Sequence, residues 1–480
     1  MREDWIEVEL GDILNVSSGS GLTSKKMSGS GYPVYGGNGV TGYHSEFLFD
    51  EKKLIIGRVG VRCGVTHITK SQSWVTDNAL VVSFKHPFLD LQFMRLKLQF
   101  ENLNKLSNST AQPVISGAKI YAYSVCIPPL PIQRTIVSKI ESLFSDLDNG
   151  IADLKKAQQQ LKIYRQAVLK KAFEGELTKE WRETQINLPT AEELLEQIKQ
   201  ERQKHYEQQL EDWKQAVKTW EENGKEGKKP AKPNSIKEFN SPETELGINS
   251  PSNWVVLCLG NLTTGVEYGS GAKSLDEGEI PVIRMGNMQS GKLDWSDLKY
   301  TVDKNEISQY ILKKGDVLFN RTNSPEHVGK TVEYKGERPA VFAGYLIRVN
   351  HIDSLLCSSY LNNFLNSHPA KVYGSHVKTD GVNQSNINGQ KLSNYPIPLP
   401  ALKEQQQIVR EIESRLSVCD KVEQNISEAL VKSEALRQSI LKKAFEGKLL
   451  SKAEIEQCKQ EADYEPASVL LEKIKKEKKK

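Results

Sequence analysis

The chain has 480 residues, of which 38% are hydrophobic and 26% charged, and its formal net charge is +4. This length exceeds what one hydrophobic core usually serves, so two globular domains with helical connections are expected. The sequence holds neither a run of about 18 apolar residues that could span a membrane nor a secretion signal at its start, so a cytoplasmic location without a membrane partner is expected. The small net charge neither supports nor excludes binding of nucleic acid.

Residues 1–131 contain short apolar runs separated by glycine and asparagine, such as VELGDILNV and KLIIGRVGVRCGV. Such runs, punctuated in this way, predict strands and turns. One helix is predicted at residues 89–105, where apolar side chains recur at helical spacing. The first globular part is therefore predicted to be mixed α/β.

Residues 132–180 carry apolar side chains at every seventh position, which is the periodicity of a coiled coil. These positions are Ile140, Leu147, Leu154, Leu161 and Val168. Residues 403–450 repeat the pattern less strictly, at Ile412, Cys419, Ile426, Ser433 and Ile440. Each of these rows of apolar side chains, called here the seam of its helix, needs a partner to pack against. The simplest interpretation is that the two helices pack on each other. The periodicity alone leaves parallel and antiparallel packing open.

Two further helical segments follow the heptad regions. Residues 181–223 are predicted to be a helical extension, and the GKEGKKPAKPNS segment then begins a flexible linker at residues 224–250, because Gly and Pro break the helix. Residues 451–480 form a basic helical tail in which LLEKIKKEK echoes the LLEQIKQER of the extension. Such a lysine-rich end is most simply a solvated tail, with phosphate binding as the alternative.

Residues 251–402 form the second globular part, again with short strands such as IPVIRMGN and AVFAGYLIRV. A helix is predicted near residues 358–367. This part differs in sequence from residues 1–131 almost everywhere except at its ends. The long helices are thus alike, whereas the two domains that they accompany are not.

The similar helices belong to an internal duplication. One constant shift in residue number, called here the duplication shift, maps RQAVLKKAFEGEL at residues 165–177 onto RQSILKKAFEGKL at residues 437–449, and it maps Gln112 onto Gln384. A slightly smaller shift loosely maps Trp5 onto Trp254. Because only two copies are present, the pattern predicts a pseudo-two-fold repeat of a globular part followed by a helix, and not a solenoid array.

The sequence lacks the motifs of common catalytic and metal-binding sites. GNMQSGKL at residues 286–293 has the spacing of a phosphate-binding loop, but Leu293 stands where a Ser or Thr is required, so a hairpin or loop is the better interpretation. No HExxH, GxSxG or paired Cys/His metal spacing occurs, and the six cysteines form no CxxC pair. Neither a catalytic centre, a metal site nor a disulfide is expected.

Polar loops beside the predicted strands suit contacts with DNA. Arg can bind guanine O6 and N7, Asn can bind adenine, and Lys can hold phosphates. The candidate DNA-binding residues in the first domain are Arg58, Arg62, Asn38 and Lys25. Those in the second domain are Arg321, Asn323, Ser324, Arg284 and Lys378. Polar loops are usually only solvated, so this pattern by itself indicates DNA weakly.

Two repeated motifs strengthen that interpretation. A P-x-L-x-x-Q-x-x-I-V segment opens each long helix at residues 128–137 and 400–409, and LKKAFEG ends each at residues 169–175 and 441–447. Two divergent α/β domains with helices framed in this way resemble the specificity subunit of a type I restriction-modification enzyme. The resemblance covers nearly the whole chain.

The resemblance implies that each domain is a target recognition domain reading one half of a bipartite, asymmetric sequence in double-stranded DNA. The two helices would form an antiparallel coiled coil that sets the spacer between the half-sites. Two methyltransferase subunits would dock on these helices, with restriction and translocase subunits joining them, and the candidate docking residues are Leu169, Lys170, Phe173, Leu441, Lys442 and Phe445.

The chain itself would then be non-catalytic and bind no cofactor, while S-adenosylmethionine, ATP and Mg would belong to the partner subunits. The alternative hypothesis is a non-catalytic coiled-coil scaffold whose domains bind protein or glycan. The steep salt dependence of binding through DNA phosphates would distinguish the two.

Overall fold

The computed structural model describes residues 4–60, 62–107, 113–233, 235–236, 238–243 and 247–478. Two compact units make up the chain, residues 1–156 with 426–480 and residues 157–425. Each unit therefore combines one globular domain with part of both long helices. Gln112 lies outside the described residues.

The first domain is mixed α/β, as predicted. Its strands are β1 (Ile6–Glu9), β2 (Leu14–Ser18), β3 (Tyr32–Gly36), β4 (Gly39–His44), β5 (Leu54–Gly57), β6 (Thr66–Ile68), β7 (Trp74–Val75), β8 (Ala79–Phe84) and β9 (Ser124–Ile127). Its α-helices are α1 (Leu10–Ile13), α2 (Leu91–Phe100) and α3 (Gly117–Tyr121). The predicted helix at residues 89–105 is thus shorter than expected: it begins after Asp90, whose side chain accepts a hydrogen bond from the Phe93 N–H as an N-cap, and a separate 3-10 turn covers Leu103–Leu106.

Three sheets organise these strands. An antiparallel four-stranded sheet has the order β2-β8-β5-β6, and a three-stranded sheet has the order β4-β3-β7, in which β3 and β7 are parallel. Strands β1 and β9 pair at the two ends of the domain. The pairing of β1 with β9 brings Ile6–Glu9 close to the start of the first long helix.

The first long helix, α4 (Leu130–Phe173), is followed by α5 (Lys179–Glu183) and α6 (Ala191–Glu222). A capping box starts α6, since Thr190 and Glu193 bond to each other's backbone N–H groups. The segment after α6 has no regular secondary structure where it is described, but part of it lies against the helix. The indole N–H groups of Trp213 and Trp220 donate to the carbonyls of Pro230 and Gly227.

The second domain contains many short strands. They are β10 (Val255–Cys258), β11 (Thr263–Tyr268), β12 (Ile280–Ile283), β13 (Met288–Gln289), β14 (Lys292–Leu293), β15 (Lys299–Thr301), β16 (Val317–Asn320), β17 (Thr322–Asn323), β18 (Thr331–Glu333), β19 (Val341–Phe342), β20 (Leu346–His351), β21 (Thr379–Asp380), β22 (Ser385–Asn386) and β23 (Pro396–Leu399). Its helices are α7 (Lys304–Tyr310), α8 (Ser358–Leu365), α9 (His368–Val377) and α10 (Gly389–Ser393). The predicted hairpin at GNMQSGKL is confirmed, because β13 and β14 pair around Ser290 and Gly291, both of which have positive φ.

The two domains share one topology despite their different sequences. The sheet β11-β20-β16-β18 repeats the order of β2-β8-β5-β6, and β15-β12-β19 repeats β4-β3-β7, including one parallel pair. Strands β10 and β23 pair as β1 and β9 do. The duplication predicted from the helices and the domain ends therefore extends through these sheets, whereas the hairpin β13–β14 and strand β21 have no counterpart among the described strands of the first domain.

The second long helix, α11 (Leu402–Phe445), precedes α12 (Lys452–Cys458) and α13 (Ala467–Lys478). In the first unit, Ile136 near the start of α4 shares a core with Leu441 near the end of α11. In the second unit, Phe173 at the end of α4 shares a core with Ile408 near the start of α11. The two helices are therefore antiparallel, and the pseudo-two-fold fold class is confirmed.

The basic tail packs against the first domain. Leu470 and Ile474 of α13 are only 1% and 3% exposed and belong to the core of the first unit. Glu454 of α12 forms an ion pair with Lys139 at 2.9 Å, and Asp463 forms one with Arg134 at 2.6 Å. The expectation of a solvated tail is wrong for its apolar face, because a helical side with Leu and Ile at this spacing can be buried while the lysines remain in water. In the described part of the chain, no helix is both long and apolar enough to cross a membrane.

Candidate nucleic-acid interface

The candidate residues of the first domain gather around one groove of about 590 Å³. Asn38 and Arg62 line it and are exposed. Lys25 is exposed in a short 3-10 turn between two other lining residues, and Arg58 precedes a third, Val59. The complete lining is Leu22, Ser24, Met27, Gly36, Gly37, Asn38, Gly39, Val40, Thr41, Val59, Arg62, Thr76 and Asn78.

The floor of this groove contains a hydroxyl group that no sequence pattern singles out. Thr76 is 3% exposed, and its Oγ1 has no hydrogen-bond partner among the described residues. Its backbone is fixed, because its N–H donates to Tyr35 and its carbonyl accepts from Ala79. Most buried hydroxyls in proteins are hydrogen-bonded, and the Thr76 hydroxyl is an exception next to the groove. Its oxygen exposes almost no surface, so a ligand atom in the groove reaches it only when the Thr76 side chain rotates towards the groove.

Arg58 and Arg321 occupy equivalent places in the two domains. Arg58 follows β5 and Arg321 follows β16, the third strand of each four-stranded sheet. Their carbonyls accept hydrogen bonds from the backbone N–H groups of Ile115 and Ile387 at 3.0 and 2.8 Å. Since the duplication shift maps Ile115 onto Ile387, the duplicated segment before each long helix holds the backbone of each arginine.

Each of these arginines also contacts the last residue of the first strand in its sheet. The Arg58 Nη1 donates to the Ser18 hydroxyl at 3.2 Å. The Arg321 guanidinium carbon lies 4.7 Å from the centroid of the Tyr268 ring, a cation–π arrangement. The Tyr268 hydroxyl in turn accepts from the Gly389 N–H at 3.0 Å. Both guanidinium groups are thus oriented by neighbouring side chains and not only by their own rotamers.

Arg321 keeps its charge available. Among the residues that the structure describes, no carboxylate pairs with it, and its buried Nε has no acceptor. Asn323 and Ser324 follow directly, but the Asn323 Oδ1 is occupied by the Ser324 N–H at 2.8 Å, and β17 is tied into a small sheet with β22 and β21. Of these three neighbouring candidates, Arg321 is the best placed to bind an external acceptor.

Arg284 and Lys378 are paired within the domain. The Arg284 Nη2 donates to Asp297, at 3.1 Å to the carboxylate Oδ2, and the Lys378 Nζ lies 3.0 Å from the Asp380 carboxylate. The Ser385 hydroxyl and then Lys378 hold the pKa of Asp380 below its ordinary value. Each cation therefore has a carboxylate partner, which suits a supporting role better than a direct contact with DNA, although the buried Arg284 Nε has no acceptor among the described residues, as at Arg321.

The six candidate docking residues divide into two groups. Phe173 and Phe445 are buried in the cores of their units together with the two leucines, Leu169 and Leu441. Lys170 and Lys442 are 61% and 68% exposed. A docking role for this motif stays a prediction, and it rests on the lysines because the apolar side chains are already covered within the chain.

A model of the family "Type I restriction modification DNA specificity domain" matches residues 2–160 and 251–432. These two ranges cover well over half of the chain and correspond to its two domains with the adjoining long helices. The chain therefore belongs to the specificity subunits of type I restriction-modification systems. It is a non-catalytic component that recognises DNA, and the alternative of a protein- or glycan-binding scaffold is not supported.

Named relatives agree with this assignment. The chain is 28% identical over 387 residues to the type I restriction enzyme EcoKI specificity subunit of Escherichia coli K12, covering 78% of this chain and 68% of that protein. It is 25% identical to the EcoDI specificity subunit of Escherichia coli, over 99% of this chain and 95% of the relative.

Solved structures share the fold at low sequence identity. A chain from a study of complex assembly and conformational transition in the type I R-M system matches with a TM-score of 0.62 and 16% identity, over 93% of this chain and 99% of that one. The HsdS subunit from Thermoanaerobacter tengcongensis matches with a TM-score of 0.52 and 17% identity, over 93% and 97% of the two chains. At this identity the likeness concerns the fold alone.

Proposed function

We propose that each domain reads one half of a bipartite, asymmetric DNA sequence and that the paired long helices set the number of unread base pairs between the halves. The observation that carries this proposal is the equivalent placement of Arg58 and Arg321 in two domains of one topology and different sequence. Two domains with the same sheet topology but different loop sequences can each bind a half-site, and the two half-sites can then differ in sequence.

In this proposal Arg58 and Arg321 are the principal base readers. An arginine can bind O6 and N7 of one guanine in the major groove through two parallel hydrogen bonds. Orientation by Ser18 and by the Tyr268 ring lowers the entropy that each guanidinium loses on binding. Arg284 and Lys378 would have a supporting role in the second domain and would not read bases, because each is already ion-paired, with Asp297 and Asp380 respectively.

The chemistry would belong to partner subunits. Two methyltransferase subunits would dock on the exposed faces of the long helices, and restriction and translocase subunits would join through that complex. S-adenosylmethionine, ATP and Mg would be bound by those partners, and the assembly would work in the cytoplasm. Exposed apolar side chains on the helices, such as Ile163 and Val431 at 70% each, offer surface for such docking.

One experiment tests the proposal as a whole. The full chain is co-expressed with its methyltransferase subunit, and methylated adenines are mapped across the genome. We expect a single bipartite motif with a fixed spacer. A failure of the chain to co-purify with that subunit, or methylation at a continuous site, would contradict the proposal.

Two substitutions test separately whether Arg58 and Arg321 each contact bases of a different half-site. Arg58→Ala should relax one position of one half-site and Arg321→Ala one position of the other, each at a cost of about 1–3 kcal/mol in binding. The exposed residues Lys52 and Arg338 provide matched controls, since Lys52→Ala and Arg338→Ala each remove one positive charge from the same domains at a residue outside the candidate set. An unchanged motif in both reader variants would exclude the assignment.

A further inference from the structure

We propose that the groove of the first domain holds the sugar–phosphate backbone of DNA, with the Thr76 hydroxyl donating a hydrogen bond to a phosphate oxygen. Arg62 and Asn38 would then position the DNA and not read its bases. This inference rests on the proposed recognition of DNA and divides the candidate residues of the first domain into two kinds of contact.

The concave shape of the groove favours the sugar–phosphate backbone of DNA, and not the base edges, as its ligand. Base edges lie at the bottom of the major groove, so a protein reaches them with an element that protrudes. Thr76 lies instead in the floor of a groove and is only 3% exposed. The part of a duplex that can enter a groove is its ridge, the sugar–phosphate backbone, and phosphate contacts fix the register of a protein on DNA.

The charges around the groove suit an anion. Arg62 belongs to the lining, and Lys25 and Lys26 are exposed in the turn that forms one side. Among the described residues that line the groove, none is acidic. The exposed Asp77 lies in the chain between the lining residues Thr76 and Asn78, with its carboxylate near Gly21. One carboxylate therefore accompanies the three cations, and the balance of charge stays positive.

The floor also has unused space beside the hydroxyl. A Cβ added to Gly36 would lie 3.6 Å from Thr41 Cγ2 and 3.7 Å from Thr76 Oγ1, which are ordinary contact distances. Gly36 has no positive φ that would require glycine. An alanine at position 36 should therefore fold normally while narrowing the floor next to the hydroxyl.

The second domain does not repeat this arrangement. The Ala343 N–H donates to the Ile283 carbonyl, as the Thr76 N–H donates to the Tyr35 carbonyl, so Ala343 is the counterpart of Thr76. Arg284 follows Ile283 where Gly36 follows Tyr35. The hydroxyl and the glycine are both absent from the corresponding positions, which makes the site specific to the first domain.

The test compares binding of the full-length chain, in complex with its methyltransferase subunits, to two duplexes of equal length. One contains the sequence identified by methylation mapping, and the other is a scrambled sequence. Thr76→Val should weaken binding to both duplexes by about 3- to 10-fold, the loss of one hydrogen bond, and leave their ratio unchanged. Gly36→Ala should act in the same direction, whereas Thr76→Ser, which keeps the donor, should bind like the unaltered chain.

Salt dependence provides a second measurement. Arg62→Ala should reduce the slope of log K against log salt concentration by about 0.9, as expected for one lost phosphate contact. Thr76→Val should unfold at the same temperature or higher, because it removes an unpaired buried hydroxyl, so weak binding cannot be attributed to misfolding.

Two results would overturn the inference. Thr76→Val could bind both duplexes normally, or it could lose affinity only for the target duplex and relax the methylated motif, in which case Thr76 reads a base. Failure of the underlying function is distinguishable, because the unaltered chain would then bind the two duplexes equally.

Discussion

At the scale of single residues, two buried glutamines hold each domain to the start of a long helix. The Gln133 side chain donates to the carbonyls of Phe88 and Pro128 and accepts from the Asp90 N–H. Gln405, its duplicate in the second copy, makes the corresponding three bonds to Leu355, Pro400 and Cys357. Both side chains are fully buried. The glutamine of the repeated P-x-L-x-x-Q motif is therefore a structural connector.

Gln405→Leu tests this role. The substitution fills a similar volume but leaves two carbonyls and one N–H without partners inside the protein, so the free energy of unfolding should fall by about 3 kcal/mol. Denaturant unfolding measures the change. Gln406→Leu is the matched control, because Gln406 is exposed on the next position of α11. Equal stability of the two variants would contradict the structural role.

Glu454 gives a pH-dependent prediction. Hydrogen bonds from the Ser451 backbone, and next from Lys139, lower the pKa of Glu454 from 4.5 to about 2. Because the folded-state pKa is depressed, this carboxylate stabilises the fold above pH 4.5, and the contribution is lost as the pH falls towards 2. The unfolding temperature of the unaltered chain should thus fall more steeply across this window than that of Glu454→Gln. Carbon NMR of the carboxyl group would contradict this if Glu454 titrated near 4.5.

At the scale of elements, the last turn of α11 contributes more to stability than the turns just before it. Phe445 is 6% exposed and its ring lies 5.7 and 5.1 Å from those of Phe93 and Phe100. A few turns earlier on the same helix, Leu436 is 51% exposed, and Arg437 pairs with Asp148 at the surface. Buried aromatic area outweighs a surface ion pair, which typically contributes less than about 1 kcal/mol.

Phe445→Ala should therefore lower the stability of the first unit by about 3–5 kcal/mol. Arg437→Ala and Leu436→Ala should each cost less than about 1 kcal/mol. Hydrogen exchange of amides in α2 reports on this unit directly, since both aromatic partners of Phe445 belong to that helix. Comparable losses in all three variants would show that the last turn of α11 contributes no more to stability than the turns before it.

The sequence predicted these helices well and the domain interiors poorly, for one physical reason. Heptads, caps and the β13–β14 turn are local patterns, and local patterns are visible in a sequence. The shared sheet order depends on pairings such as Ile6 with Ile127, which are remote in the chain. Thr76 is marked only by a missing partner in three dimensions, whereas Arg58 and Arg321 are candidates from the sequence because arginine beside a strand suits DNA, and their contact with DNA stays a prediction.

At the scale of the whole molecule, the ion pairs of the helices repeat the duplication. Arg165 pairs with Asp420 at 2.7 Å in the second unit, and Arg437 pairs with Asp148 in the first. The duplication shift maps Arg165 onto Arg437 and Asp148 onto Asp420. The two pairs thus obey the pseudo-two-fold relation, and they fix one antiparallel register between the helices. A change in helix length must be made in both helices to keep that register.

Removing one heptad from each long helix tests the proposed ruler. Seven residues correspond to about 10 Å of helix, and a base pair rises about 3.4 Å, so the spacer should shorten by up to about three base pairs. Both half-sites should stay the same, because the deletions leave each domain intact. Methylation mapping reads the spacer and the half-sites in one experiment.

The control keeps both helices at full length and replaces only exposed polar residues within the same heptads, which should leave the spacer unchanged. Deletion of a heptad from α4 alone provides a second comparison. It should place apolar seam positions out of register with α11 and lower stability, because the seam and the two ion pairs cannot then be satisfied together. A changed half-site with an unchanged spacer in the double deletion would show that the helices do not act as a ruler.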